Sequence, residues 1–193
     1  MIFIPLIAAL FVLFLPQAKR AAFILSLIPL ALLASGKLID ASSYSWFSPL
    51  SIYFSLKLDP IASIFVFLTS IIVPISLLVS DRVYEKSFYS LILTTQAFLN
   101  GYFLASDLVV FVIFWEAMLL PVFFLIYIWG GEKKRKASVQ FLLYMIAGST
   151  LMIAGVFAVY VSAKTFDLTL LSAMMYAPWV ALVFLLAFMV KTP

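Results

Sequence analysis

Phe111-Val112-Ile113-Phe114-Trp115-Glu116-Ala117-Met118-Leu119-Leu120-Pro121 is an apolar run with a single carboxylate in its middle and no opposite charge within a helical turn. The apolar character extends from Leu108 to Trp129, and about 20 such residues in a helix cross the hydrocarbon of a bilayer. A charged side chain at mid-bilayer costs about 2.5 to 3.5 kcal/mol on insertion scales. Glu116 is therefore expected to face a bundle interior, where such residues commonly serve an ion path. The plainer reading is a protonated glutamate hydrogen-bonded between helices.

The rest of the chain agrees with a lipid solvent. Apolar residues make up 66% of the 193 positions and charged residues 10%, far from the roughly half apolar and quarter charged of a soluble domain. Charge, proline and glycine divide the sequence into seven apolar stretches, at roughly 2 to 15, 21 to 36, 60 to 79, 88 to 105, 108 to 129, 139 to 162 and 177 onward. Each reads as a helix, since only helices and closed barrels satisfy backbone groups in lipid, and the alternation of a barrel strand is absent from them. The fold class expected is an all-α integral membrane protein of about seven transmembrane helices, a single transmembrane domain over 1–193. The first run lacks the basic start and small-residue cleavage site of a signal peptide, and is expected to be a span.

In the second loop Ile52, Phe54, Leu56 and Leu58 alternate with Tyr53, Ser55 and Lys57. That period of two predicts a short strand at the membrane surface before the third helix. Asp59-Pro60 then reads as an N-cap followed by proline at the first helical position, and Asp107 reads as the N-cap of the fifth span. With no cysteine and no histidine, the chain carries no disulfide framework, no Cys- or His-ligated zinc and no iron–sulfur or haem attachment of its own.

Lys19, Arg20, Arg82, Lys86, Lys133, Lys134, Arg135 and Lys136 follow the first, third and fifth spans, whereas Lys37, Lys57 and Lys164 lie on the other side. Basic residues mark cytoplasmic loops, so the N-terminus is expected outside. The net charge of +4 is accounted for by topology and not by a nucleic-acid partner.

Among the remaining polar residues, Lys191 follows the apolar run Trp179 to Val190 and precedes Thr192-Pro193. It is either an end anchor that snorkels to the interface or a functional group beside a helix break at Pro193, whose ring frees carbonyls inside the membrane. Thr94, Thr95, Gln96 and Asn100 in the fourth span and Gln140 and Tyr144 in the sixth can line a water path or bond neighbouring helices. Gly148-Ser149 and Gly155 offer small surfaces for close packing.

Phe114-Trp115-Glu116, Leu120-Pro121, Leu125-Ile126, Trp129-Gly130, the basic loop after them, Phe141-Leu142-Leu143-Tyr144, Gly148-Ser149 and the tail Ala187-Phe188-Met189-Val190-Lys191-Thr192-Pro193 together resemble the antiporter-like, proton-pumping subunits of respiratory complex I (NADH-quinone oxidoreductase). The likeness is greatest to the subunit M branch and its plastid counterpart, and it runs along the whole chain in order. The resemblance implies a longer fold of two inverted repeats, each with a broken helix and a buried relay, of which this chain is the first. Glu116 matches the fifth-helix glutamate and Lys191 the seventh-helix lysine of the relay. Gln140 stands where many relatives carry a lysine, so no role passes to it.

The resemblance also implies that NADH, flavin, iron–sulfur clusters and quinone reside only in partner subunits, with the other membrane-arm subunits and the lipid bilayer as partners. The expected location is an energy-coupling membrane, either a bacterial inner membrane or its organellar equivalent. Multisubunit cation/proton antiporters of the Mrp type share the same relay and form the alternative. Because the sequence stops at Pro193, where the broken helix of the family continues, a second chain or a missing C-terminal half is expected to complete it.

The basic asymmetry generates a direct test of sides. In intact cells a Lys134→Cys variant is expected to react only with membrane-permeant thiol label, and a Ser43→Cys variant with impermeant label; the reverse pattern inverts the topology.

Overall fold

The computed structural model describes residues 2–35, 42–80, 85–172 and 178–191. Helix dominates. The first apolar stretch is α1 (Phe3–Phe14). The second is two short helices, α2 (Ala18–Ser26) and α3 (Ile28–Ala34), which meet at Leu27. Pro29 sits in the first turn of α3 and has no amide with which to continue the α2 ladder, so the single helix expected over 21 to 36 is divided.

The loop that follows holds a hairpin. Strand β1 (Ser42–Phe47) pairs antiparallel with β2 (Ile52–Leu56), joined through the 3-10 turn Ser48–Leu50 and Ser51 in the left-handed region at φ 52°. The alternating segment thus has a partner strand that its neighbour's Ser- and aromatic-rich sequence did not announce.

Helix α4 (Pro60–Val79) begins as its sequence signals: the Asp59 carboxylate accepts from the Ala62 amide at 2.6 Å, and Pro60 opens the first turn. Helix α5 (Lys86–Leu104) follows. The fifth stretch is α6 (Leu108–Ala117) and α7 (Leu119–Trp129), separated at Met118. Beyond them lie α8 (Lys134–Ala163), the single turn α9 (Leu168–Leu171) and α10 (Pro178–Lys191). Among the described residues, three segments are long and apolar enough to cross a membrane: Pro60–Val79, Leu108–Trp129 taken through its break, and Lys134–Ala163. Helices α1 and α10 are apolar but shorter.

At one end of the bundle the connectors are stitched to the hairpin. Lys57 N–H donates to the Leu104 carbonyl at 2.7 Å and Ser106 N–H to the Ser55 carbonyl at 3.1 Å, so β2 runs beside the α5–α6 connector. That connector binds the α8–α9 connector in turn, through Leu108 N–H to Phe166 O at 2.9 Å and Leu168 N–H to Ser106 O at 3.0 Å. Asp107 is the shared cap: its carboxylate accepts from Val109 at 2.8 Å, from Val110 at 3.4 Å and from Tyr53 of the hairpin at 3.3 Å. Burial pushes this carboxyl up and Asp167 opposite adds to the push, while the three amides pull the other way.

Small residues set helix spacing. The glycines of α8 admit α10: a Cβ on Gly148 would stand 3.0 Å from Val190, and one on Gly155 would stand 3.2 Å from the Phe184 ring. Between α5 and α6 the approach is tighter, since a Cβ on Gly101 would lie 2.5 Å from the buried Phe114 ring. Gly101→Ala adds up to about 1 kcal/mol of helix propensity but overpacks the core by about 1 to 3 kcal/mol. It is expected to lower the melting temperature of the complete assembly in detergent, and Phe114→Leu in the same chain to restore part of the loss. A stabilising Gly101→Ala would mean that α5 and α6 are not in this contact.

Candidate functional site

The site forms where α6 stops. At the Met118 break the Met118 amide returns to the Phe114 carbonyl at 3.2 Å, and the ladder is not continued from Leu119 to Trp115. Pro121, on the next turn, has no amide to offer Ala117. The Trp115 carbonyl is thereby left at the C-terminal, negative end of α6. Lys191, the last described residue of α10, donates to it at 2.9 Å across 76 positions of sequence. The same ammonium stands 3.6 Å from the centroid of the Trp115 ring, a cation–π position.

An aromatic wall holds that ring in place. Trp115 is buried and packs on Tyr102 of α5, on Phe111 one turn back along α6, and edge-on against Phe188 of α10 at 5.2 Å and 84°. Met152 of α8 and Ala187 of α10 close the cluster. Three helices therefore fix one tryptophan, and its carbonyl and face together fix one lysine.

Glu116 is the neighbour of that tryptophan. Its Oε1 is buried and has no hydrogen-bond partner among the described residues. It forms no direct ion pair with Lys191, whose ammonium instead touches the carbonyl and ring of the adjacent Trp115. An ammonium carries three donors and a carboxylate only acceptors. The arrangement thus places a proton donor on the backbone and ring of the residue next to a buried proton acceptor, against an aromatic wall.

The other residues singled out in the sequence are placed as follows. Thr95 is half-buried and donates to the Leu91 carbonyl of its own helix at 2.9 Å, two turns along α5 from Tyr102. Gln96 is buried on another face of α5 and donates to the Ser26 carbonyl at 2.9 Å. Gln140 and Tyr144 lie on an exposed face of α8 and are not brought to Glu116 within this chain. Pro193 lies outside the described residues. Trp115 and the Met118 break were not anticipated from the sequence; the proline three positions after Met118 was the available signal.

Residues 105–193 match the family described as NADH:quinone oxidoreductase/Mrp antiporter, transmembrane. A chain of respiratory complex I from Thermus thermophilus is 31% identical and superposes on all of this chain with a TM-score of 0.87. The chain is a member of this antiporter-like family. Subunit M of the NADH-quinone oxidoreductase of Rickettsia typhi is 30% identical over 196 residues, 90% of this chain. Its Rhodobacter capsulatus counterpart is 37% identical over 126 residues, 63% of this chain. The chain spans 40% and 24% of those two subunits and 43% of the Thermus chain. It is an integral membrane protein with the helical antiporter-like fold.

Proposed function

We propose that this chain translocates protons as part of a membrane-arm subunit of a complex I-type NADH or ferredoxin:quinone oxidoreductase, with Glu116 and Lys191 as its relay. The observation that carries the reading is the Lys191 ammonium held on the carbonyl and ring of Trp115 at the α6 break, with the buried Glu116 Oε1 on the next residue unpartnered among the described residues. Redox chemistry belongs to partner subunits, which hold the flavin, iron–sulfur clusters and quinone; here only charge moves.

At short range a carboxylate and an ammonium stabilise each other's charged forms, and burial apart from one another disfavours both. Lengthening or shortening the Glu116–Lys191 distance therefore changes the lysine's affinity for its proton. Moving one charge against about 180 mV requires about 4 kcal/mol, which a thousandfold change in proton affinity supplies at about 1.36 kcal/mol per tenfold. The Trp115 carbonyl and ring act as the positioning element that keeps the lysine within reach of Glu116.

In this reading α2 and α3 form one span and α6 and α7 another, so the chain crosses the membrane seven times. The N-terminus lies outside and the hairpin stitches the helix ends at the outer surface. The chain is the first of two inverted repeats, completed by a second chain or by further sequence, and Gln140 and Tyr144 face that missing half and its water path. The second reading, a subunit of an Mrp-type cation/proton antiporter, is favoured by the family description, which covers both assemblies.

In the complete assembly reconstituted into vesicles, Glu116→Ala is expected to abolish most quinone-linked proton pumping, and Glu116→Asp to retain much of it. Full pumping by an assembled Glu116→Ala enzyme would remove Glu116 from the relay. Sodium-for-proton exchange without quinone reduction would favour the Mrp reading.

A further inference from the structure

Two apolar clusters pack around α5, and between them runs a layer of another kind. One cluster includes Ala22 of α2, Val73 of α4 and Leu93 of α5, whereas Val66 of α4 and Leu104 of α5 belong to the other, with Leu32 of α3 packed against it. On each element polar residues occupy the interval: Ser26, Thr69 with Ser70, and Gln96 with Asn100. All five are buried, and Ser26, Ser70, Gln96 and Asn100 are 0% exposed.

The layer is only partly satisfied by protein. The Ser26, Thr69 and Ser70 hydroxyls donate to carbonyls of their own helices, at 2.7, 2.8 and 2.7 Å. Gln96 Nε2 donates to the Ser26 carbonyl at the α2–α3 break. Gln96 Oε1 and both Asn100 Oδ1 and Nδ2 have no partner among the described residues. Pro74 of α4 adds to the demand, because it has no N–H to give the Ser70 carbonyl. Buried amides are bonded in nearly all native structures.

Depth matters as well. Ser70 lies nine residues before Val79, the end of α4, and Gln96 ten residues after Lys86, the start of α5, each about 14 to 15 Å along its helix. That is half of a hydrocarbon core about 30 Å thick. The layer is distinct from the Lys191 site, for Gln96 reaches α2 while Gly101 and Tyr102 of the same helix meet Phe114 and Trp115 of α6.

We propose that this layer is a buried water site, in which ordered water at mid-membrane bonds the Asn100 amide and Gln96 Oε1. The chemistry selects the ligand. Asn100 presents one unpartnered donor and one unpartnered acceptor, and exchanging its oxygen and nitrogen leaves that demand unchanged. Water satisfies both, whereas an alkali cation satisfies only the oxygen. The inference depends on the chain spanning a membrane and not on the role of Glu116.

The test is a cryo-electron microscopy map of the complete assembly in which ordered water is visible. The expected result is density within hydrogen-bonding distance of both the Asn100 amide and Gln96 Oε1, unchanged when sodium and potassium are replaced by N-methylglucamine. In Asn100→Leu, similar in size and without donor or acceptor, the density is expected to disappear. Direct protein bonds to all three amide atoms, an empty void, or density that vanishes with the alkali cations would overturn the proposal. Should Asn100→Leu fail to assemble, the wild-type maps with and without alkali cations decide the question alone.

Discussion

A helix that breaks inside a bilayer exposes carbonyls for which lipid has no donor. At the end of α6 the freed Trp115 carbonyl receives the Lys191 ammonium, and the rest of the site follows from that bond. A lysine in hydrocarbon needs an acceptor, and the break supplies one at the negative end of a helix. Each feature removes the cost of the other. Glu116 is one residue along from that carbonyl, so the same turn that receives the lysine also sets the carboxylate's place.

The remainder of the bundle keeps that turn in place. Gly148 and Gly155 let α10 sink onto α8, which delivers Phe188 and Lys191 to the Trp115 ring. Gly101 lets α6 settle against α5, which supplies Tyr102 from the other side. At the hairpin end, Asp107 ties the start of α6 to Tyr53 and to its own first turn. Helix packing without a hydrophobic driving force relies on small residues and buried polar bonds, and both are found here at the contacts that locate the tryptophan.

Much of this was legible in the sequence, because lipid imposes strong rules. Composition identified the solvent, and Asp59-Pro60 located the start of α4. Glu116 stood out as a carboxylate in an apolar run. What was hidden depended on contacts between elements distant in sequence. The division of α2 from α3 and of α6 from α7 followed prolines whose effect the apolar pattern masked. The partner strand over Ser42–Phe47 carries only the short alternation Ser43-Tyr44-Ser45-Trp46, and its pairing with β2 is irregular between Ser45 and Phe47. Nothing local to Trp115 in the sequence indicates a cation arriving from α10. Gln140 and Tyr144 show the converse: they are polar in a spanning helix, yet lie on an exposed face of α8 away from the Trp115 cluster.

In the proposed relay Glu116 and Lys191 act as one unit across the α6 break. A double-mutant cycle on proton pumping by the complete assembly, with Glu116→Gln, Lys191→Met and the pair, measures that coupling directly. If the two residues form one relay, the double variant is expected to be no more impaired than the worse single variant. Losses that simply add would contradict the account and leave Lys191 as an anchor on the Trp115 carbonyl.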